Sequence, residues 1–364
     1  MLHSFYKEND YLTNEAVWRF IFWMSKRLPN ENSSPIKSVT MKQIAQMAGV
    51  STATVSKIIN RRDGAISEET RRRVLDLIKA YDYKPNALAK GLKVKKTNTI
   101  GFILPDISNP FFPEIARGIE DVAKARDFAV VFCNTDNDVN RERDSVLFLQ
   151  SKMVDGLIFT RSLRESSFEQ YLAGNIPIVV VDRAVDLKSR EIGKIFIDTR
   201  SAIHESTALL IERGCRRIGF ISAMYGSLED RYEGYCSALR EHGMQVDSAL
   251  VYGGDYSVET GHKGGGVLLD QSGVDGIVCG NDLIATGVMR AAEERGIRIS
   301  DELKVVGLDN IYFSQYLRPP LTTVEQPAYE MGREAAKMLI DNILYGTPMS
   351  TKELTYRLIL RDTV

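Results

Sequence analysis

The amino-acid sequence predicts a small all-α head followed by a larger α/β core of two lobes. Three short helices follow one another from Thr40, whereas beyond Thr97 short apolar runs alternate with amphipathic helices. Charge divides the chain at the same place, because residues 39–96 carry 13 Lys/Arg and 5 Asp/Glu while residues 97–364 carry 29 and 39. The net charge of −1 therefore combines a basic segment of +8 with an acidic one of −10, an asymmetry typical of proteins that bind a polyanion.

Capping residues delimit the helices of the head. Thr40, Ser51 and Ser67 each precede a helical pattern of apolar residues, and each has the side-chain oxygen that an N-cap needs. The pattern predicts helices from Thr40 to Ala48, from Ser51 to about Asn60, and from Ser67 onward. A glycine between the first two helices can supply a left-handed turn. Helix, turn and helix in this order predict a helix-turn-helix.

The head is flanked by two segments with weaker signals. Residues 83–96 are rich in lysine and contain a glycine, so their helix propensity is modest and a polyanion would be needed to order them. Residues 1–38 contain one aromatic-rich helical pattern, Asn14 to Leu28, for which the sequence gives no function.

The core is predicted from its apolar runs. Eight runs alternate with helical patterns in about 260 residues, which favours parallel sheets with helices on both faces, arranged as two similar lobes. The runs are Thr99–Pro105, Ala129–Thr135, Gly156–Thr160, Ile178–Asp182, Arg217–Ser222, Leu250–Gly253, Gly276–Gly280 and Lys304–Asp309.

Residues Val39 to Asn60, with the sequence VTMKQIAQMAGVSTATVSKIIN, resemble the helix-turn-helix of the LacI/GalR (lactose/galactose/purine repressor) family of bacterial transcriptional regulators. The resemblance continues through residues 66–71 and 83–92 and through nearly all of the core. It implies a periplasmic-binding-protein-like core. The expected divisions are an N-terminal extension of unknown role (1–38), a helix-turn-helix DNA-binding domain (39–82), a hinge helix or linker (83–96) and a two-lobed effector-binding and dimerisation core (97–364).

The resemblance also implies which residues contact DNA. Thr52, Ala53 and Lys57 fall at the base-reading positions, where methyl groups suit thymine and an ammonium suits guanine or a phosphate. Leu92 falls at the position that wedges into the minor groove. For the polar candidates that would position phosphates, a helix cap or a solvated group is an equally good interpretation. The other DNA-binding candidates are Thr40, Ser51, Thr54, Asn60, Ser67, Tyr83, Asn86 and Ala89.

Effector binding is expected at the carboxyl ends of the core strands, where ligands of such folds lie. An aromatic ring, carboxylates and guanidinium groups together suit a polyol. Arg161 and Arg183 near the cleft favour an anionic sugar or sugar acid, unless the arginines pair with Asp182 and Asp198. The effector-binding candidates are Asp106, Phe112, Arg183, Arg231, Asn281 and Asp309, of which Phe112, Arg231, Asn281 and Asp309 match the family's effector contacts.

The sequence argues against a catalyst, a cofactor and a metal site. Cys133, Cys215, Cys236 and Cys279 lie far apart, without metal-ligand spacing, and no histidine is placed for a catalytic triad. No signal peptide or bilayer-length apolar run is recognisable, so we expect a cytoplasmic protein with reduced thiols.

Taken together, these patterns predict a homodimeric transcriptional repressor whose operator affinity is controlled by a sugar, sugar acid or sugar phosphate. One alternative is a regulator controlled by a protein co-regulator, and another is a ligand-binding protein without a DNA role. The basic head argues against the second alternative. An enzyme is a more distant alternative.

Overall fold

The computed structural model describes residues 39–60, 63–83, 96–162, 176–183, 192–223, 229–271 and 273–364. Within these, residues 39–83 belong to one compact unit and residues 96–364 to a second.

The head unit contains three helices, α1 (Met41–Ala48), α2 (Thr52–Ile59) and α3 (Glu68–Ala80). Each begins at an N-cap whose side chain accepts a hydrogen bond from the helix backbone, as the sequence predicts. Gly49 ends α1 in the left-handed conformation, with φ 66°, and so turns the chain towards α2. Ile44, Val55 and Val74, one from each helix, are fully buried and form the centre of the small core.

The second unit alternates strands and helices. In chain order its elements are β1 (Thr99–Leu104), α4 (Phe111–Ala125), β2 (Ala129–Asn134), α5 (Val139–Ser151), β3 (Gly156–Phe159), β4 (Ile178–Val181), β5 (Gly193–Phe196), α6 (Thr199–Glu212), β6 (Ile218–Ala223), α7 (Glu229–Glu241), β7 (Val251–Gly254), α8 (Val258–Leu269), β8 (Gly276–Cys279), α9 (Asp282–Glu294), β9 (Lys304–Asp309), β10 (Thr322–Glu325), α10 (Ala328–Tyr345), β11 (Thr351–Glu353) and β12 (Arg357–Ile359), with 3-10 turns at Ser248–Leu250 and Tyr312–Tyr316.

The strands form two six-stranded sheets, one per lobe. The first has the order β11-β5-β4-β3-β1-β2 and is parallel throughout, and the second has the order β12-β10-β9-β8-β6-β7 and is parallel except for β12. Helix α6 packs in the second lobe, whereas α10 returns the chain to the first. The chain therefore crosses between the lobes after β5, after β10 and after β11.

The fold class predicted from the sequence is confirmed: a helical head precedes an α/β core of two lobes. The eight predicted runs correspond, within one or two residues, to β1–β4 and β6–β9. Strands β5, β10, β11 and β12 were not among those runs, because they are short and carry polar residues. Residues Thr322 and Thr323 of β10 are nevertheless fully buried, since the chain around them covers both faces of the strand.

Candidate functional site

The first turn of α2 presents the side chains expected to read bases. Ser51 caps the helix by accepting a hydrogen bond from the Thr54 backbone N–H at 3.1 Å. Thr52, Ala53 and Lys57 are all exposed, while the opposite face of the helix packs in the head core. The geometry is therefore suited to placing these three side chains in a groove.

The other candidates of the head serve the fold. Thr40 and Ser67 accept hydrogen bonds from the backbone of α1 and α3, at 3.3 and 3.4 Å. Asn60 Nδ2 donates to the Ser56 carbonyl at 2.7 Å, and Thr54 shares a hydrogen bond with Ser51. These contacts match the capping interpretation, and any phosphate contact stays a prediction. Tyr83 packs against the head core, and burial raises its pKa; Asn86, Ala89 and Leu92 lie outside the described residues.

The core brings most of the effector candidates to one cleft between the lobes. Arg183 follows β4 in the first lobe, and Asn281 and Asp309 lie at the ends of β8 and β9 in the second. Phe112 is in the first turn of α4 and Arg231 is in the first turn of α7. All five are buried, so the polar groups of Arg183, Arg231, Asn281 and Asp309 are removed from solvent near the carboxyl ends of the strands.

Two guanidinium groups converge on one aromatic ring in this cleft. The Arg183 guanidinium carbon lies 5.7 Å from the centre of the Phe112 ring and 5.5 Å from that of Tyr256. The guanidinium carbon of Arg231, which lies on α7 in the second lobe, is 4.7 Å from the centre of the Tyr256 ring. Arg231 Nη1 donates to the Gly280 carbonyl at 2.8 Å, which fixes its position. The rings and guanidiniums together offer flat faces and hydrogen-bond donors to a ligand.

One carboxylate, that of Asp182, lies directly beside these buried positive charges. Asp182 lies 3.7 Å from Arg183, and Arg183 Nη1 also donates to the Arg161 carbonyl at 2.8 Å. Burial lowers the pKa of Arg183, against the opposing effect of Asp182. The pKa of Arg231 is raised, although burial lowers it, because Tyr256 and, after it, Asp182 and Asp309 favour the charged form. Asp182 is therefore the carboxylate partner of Arg183, while Asp198 caps α6 instead.

Asp309 is one of two interacting buried carboxyl groups, and the other is Asp282. Gln326 Nε2 donates to Asp309 Oδ1 at 2.7 Å. Burial raises the pKa of Asp309 well above its usual range, and the neighbouring Asp282 adds to this effect while Arg231 opposes it. Asp309 is therefore able to act as a hydrogen-bond donor or acceptor towards a hydroxyl group.

Several polar atoms of the cleft are buried without a hydrogen-bond partner. Native proteins leave few buried polar atoms unpaired, so a group of them at one place suits the binding of a polar ligand. They lie on residues at or just beyond strand ends, in loops that follow β3, β7, β8 and β10, and on β6 itself. These atoms are Thr160 Oγ1, Ser162 Oγ, Ser222 Oγ, Tyr256 OH, Asn281 Nδ2 and Gln326 Oε1.

Asp106 and Asn281 also have structural partners. Asp106 Oδ1 accepts from the backbone N–H and the hydroxyl of Ser108, at 2.8 and 2.6 Å, which closes a local turn. Asn281 Oδ1 accepts from the Ile284 N–H at 2.9 Å and so caps α9, which leaves its amide nitrogen for a ligand. The turn geometry weakens the case for Asp106, whose ligand contact stays a prediction.

A cavity of about 210 Å³ adjoins the buried arginines on the side of the α6 and α7 N-termini. The walls of this cavity carry both acidic and basic side chains, so the cavity does not select for ligands of one charge. Its lining residues are Asp182, Arg183, Phe196, Ile197, Asp198, Thr199, Arg200, Asp230, Arg231 and Glu353.

Sequence reasoning missed three residues of the cleft. Tyr256 follows β7 by two residues, Gln326 follows β10 directly, and Asn137 follows β2 and accepts a hydrogen bond from Arg183 at 3.1 Å. All three lie just beyond the carboxyl end of a strand, and the same position identified Asn281 as a candidate from the sequence. Gln326 was not identified in this way because the sequence did not predict β10 as a strand.

Among the described residues, no group of three or more His, Cys, Asp or Glu side chains is placed to hold a metal ion. In that same part of the chain, no helix combines the length and apolar character of a membrane span. Cys133, Cys215, Cys236 and Cys279 are free thiols, and burial raises the pKa of each, which makes them poor nucleophiles.

Two family models match the chain. One, described as bacterial regulatory proteins, lacI family, matches residues 40–86, and the other, a periplasmic binding protein-like domain, matches residues 207–364. The ribose operon repressor of Halalkalibacterium halodurans is 38% identical over 329 residues, covering 89% of this chain and 96% of that protein.

Solved structures agree with the family models over most of the chain. The lac repressor dimer bound to operator and the anti-inducer ONPF matches with a TM-score of 0.78 at 25% identity, covering 90% of this chain and 99% of that one. The transcriptional regulator CelR in complex with cellobiose matches with a TM-score of 0.67 at 28% identity, covering 90% and 100%.

Proposed function

Because this chain belongs to the lacI family of bacterial regulatory proteins and is a DNA-binding transcriptional regulator, we propose that a neutral monosaccharide held between its lobes controls its operator affinity. The protein acts as a homodimeric repressor in the cytoplasm and does not chemically convert the sugar. Two heads bind a pseudo-palindromic operator, with Thr52, Ala53 and Lys57 of each head facing base edges.

The charge balance of the cleft is the observation that carries the choice of a neutral ligand. Arg183 is buried and its Nε lies 3.7 Å from the Asp182 carboxylate, so its charge already has a partner before any ligand enters. An anionic ligand would have to displace this carboxylate or be buried beside it, and like charges at such distances repel strongly. Hydroxyl groups, in contrast, can both donate to carboxylates and accept from guanidiniums.

A pentose is the sugar that we favour. The buried atoms without partners on Ser222, Tyr256, Asn281 and Gln326 include both donors and acceptors, which suits the several hydroxyls of a single ring. Phe112 and Tyr256, one aromatic ring from each lobe, both lie beside Arg183 and can offer apolar faces to the sugar ring. Ribose is the first candidate, since a relative of nearly the same length is a ribose operon repressor.

Control of DNA binding requires that the sugar distinguish two conformations of the core. Because Arg183 comes from one lobe and Arg231 from the other, a sugar that contacts both binds best when the lobes are closed. The sugar thereby shifts the population of closed dimers, and with it the spacing of the two heads.

A ligand screen with a DNA readout tests this function. Ribose, ribose 5-phosphate and ribonate are compared by thermal shift and titration calorimetry, and operator footprinting is repeated with each ligand. We expect ribose to bind most tightly and to change the footprint. Tighter binding of the phosphate or the acid would overturn the neutral class, and a footprint that responds only to a protein partner would favour a protein co-regulator.

A further inference from the structure

The strand end that bears Asp309 continues into a turn with unfavourable backbone geometry. Asp309 and Asn310 both have positive φ, 120° and 52°. Residues other than glycine adopt such angles infrequently; Asn and Asp do so most readily, but a φ of 120° is unusual even for Asp. Something must therefore hold this turn, because the direction of the Asp309 side chain depends on it.

The carboxylate of Asp282 makes the contacts that hold the backbone of this turn, while Arg361 and Glu325 bind the Asn310 side chain. Asp282 Oδ2 accepts from the backbone N–H of Ile311 at 2.9 Å and from the Ser314 hydroxyl at 2.5 Å. Its Oδ1 accepts from the Thr323 hydroxyl on β10, also at 2.5 Å. The same Thr323 oxygen lies 3.4 Å from the backbone nitrogen of Asn310, which donates to it. Of the two residues that follow Asp309, Asp282 thus holds Ile311 directly and Asn310 through Thr323.

The fold is built to admit this carboxylate. Asp282 is fully buried in the first turn of α9, next to Asn281, the N-cap of that helix. A Cβ at Gly307 would overlap the Asp282 carboxylate, so strand β9 can approach it only because residue 307 is glycine. A buried carboxylate carries a large desolvation cost, which the three donors offset.

We propose that Asp282 is a positioning residue for the effector, which fixes the turn at Asp309 and Asn310 so that the Asp309 carboxyl faces the cleft. Asp282 acts through Asp309, because all three of its contacts lie behind the turn rather than in the cleft. The effect on sugar affinity rests on the function proposed above, whereas the effect on the turn does not.

Two adjacent threonines of β10 provide a matched pair of variants. Thr323→Val removes one donor to Asp282, while Thr322→Val removes an equally buried hydroxyl that bonds the Arg361 backbone instead, donating to its carbonyl and accepting from its N–H. We expect Thr323→Val to weaken ribose binding about tenfold, the scale of one hydrogen bond to a charged group. Thr322→Val should change ribose affinity less than twofold. Equal changes in the two variants would overturn the proposal.

A double-mutant cycle separates positioning from general loss of structure. If Asp282 acts through Asp309, then Asp282→Asn combined with Asp309→Asn should bind ribose no more weakly than Asp309→Asn alone. Additive losses would mean that Asp282 contributes independently of Asp309, which contradicts the proposal.

Hydrogen exchange gives a readout that needs no sugar. Amide exchange in residues 309–316 should become faster in Thr323→Val and in Asp282→Asn than in wild type or Thr322→Val, without ligand. Unchanged exchange would overturn the proposal even if ribose binds. Absence of ribose binding to wild type with faster exchange in these variants would instead refute the effector and leave the turn contact supported.

Discussion

Replacement of Arg231 by glutamine tests the cleft most directly. The side chain is 4% exposed, donates to the Gly280 carbonyl at 2.8 Å and lies 4.7 Å from the Tyr256 ring centre. These contacts within the protein orient the guanidinium towards the cleft, and a hydrogen bond from such a charged donor to a ribose hydroxyl contributes about 1.5–3 kcal/mol. The expected loss of ribose affinity is therefore about 2 kcal/mol, or roughly 30-fold in Kd.

The matched control for this variant is Arg200→Gln at the rim of the adjoining cavity. Arg200 pairs with Asp230 at 3.3 Å, but both side chains are more than half exposed, so the pair contributes little. Calorimetry measures the Kd, and fluorescence anisotropy measures operator binding without sugar, which both variants should retain. The reasoning is refuted if folded Arg231→Gln binds ribose within threefold of wild type, or if Arg200→Gln loses as much.

Three other predictions follow from the same contacts and from the sequence. Burial raises the pKa of Asp282 to about 6, so the folded core takes up a proton at higher pH than the unfolded chain. Between pH 7 and pH 4, wild type should therefore gain about 2 kcal/mol of unfolding free energy relative to Asp282→Asn. A loss of wild-type unfolding free energy relative to Asp282→Asn on acidification, measured by urea unfolding, would contradict this. Lys57→Ala should weaken operator binding in gel shifts, with Lys79→Ala as an exposed control in the same head, and a fall of about 1 in the salt slope would identify a phosphate rather than a base contact. Leu92→Ala should weaken specific operator binding far more than binding to random DNA, and equal losses would reject the minor-groove wedge.

The sequence was most informative where chemistry is local. The N-caps Thr40 and Ser51 need only a side-chain oxygen and the following turn, so their positions follow from the residues themselves. The cleft was harder to predict because its contacts join distant segments. Arg183 and Tyr256 meet only when the two lobes are assembled, and no spacing along the chain records this.

Buried polar partners explain the remaining differences. The sequence left open whether the arginines pair with acids or bind an anion, because net charge does not specify distances. Thr323 reads as an ordinary polar residue, but its hydroxyl contacts Asp282 from a strand too polar to be recognised. Asp309 and Asn310 carry no signal for positive φ beyond the general tolerance of these residue types.

The neutral effector that we propose would limit how the signal reaches DNA. Since a sugar adds no charge to the core, it cannot weaken operator binding by repelling phosphates, and its effect must come from a difference in shape between two core conformations. Linkage then fixes the size of the effect: if closure raises sugar affinity tenfold in each protomer, two occupied clefts can change operator affinity by at most about 100-fold. The net charge of −10 on the core disfavours contact with DNA in either state, so we expect the basic head to make the operator contacts.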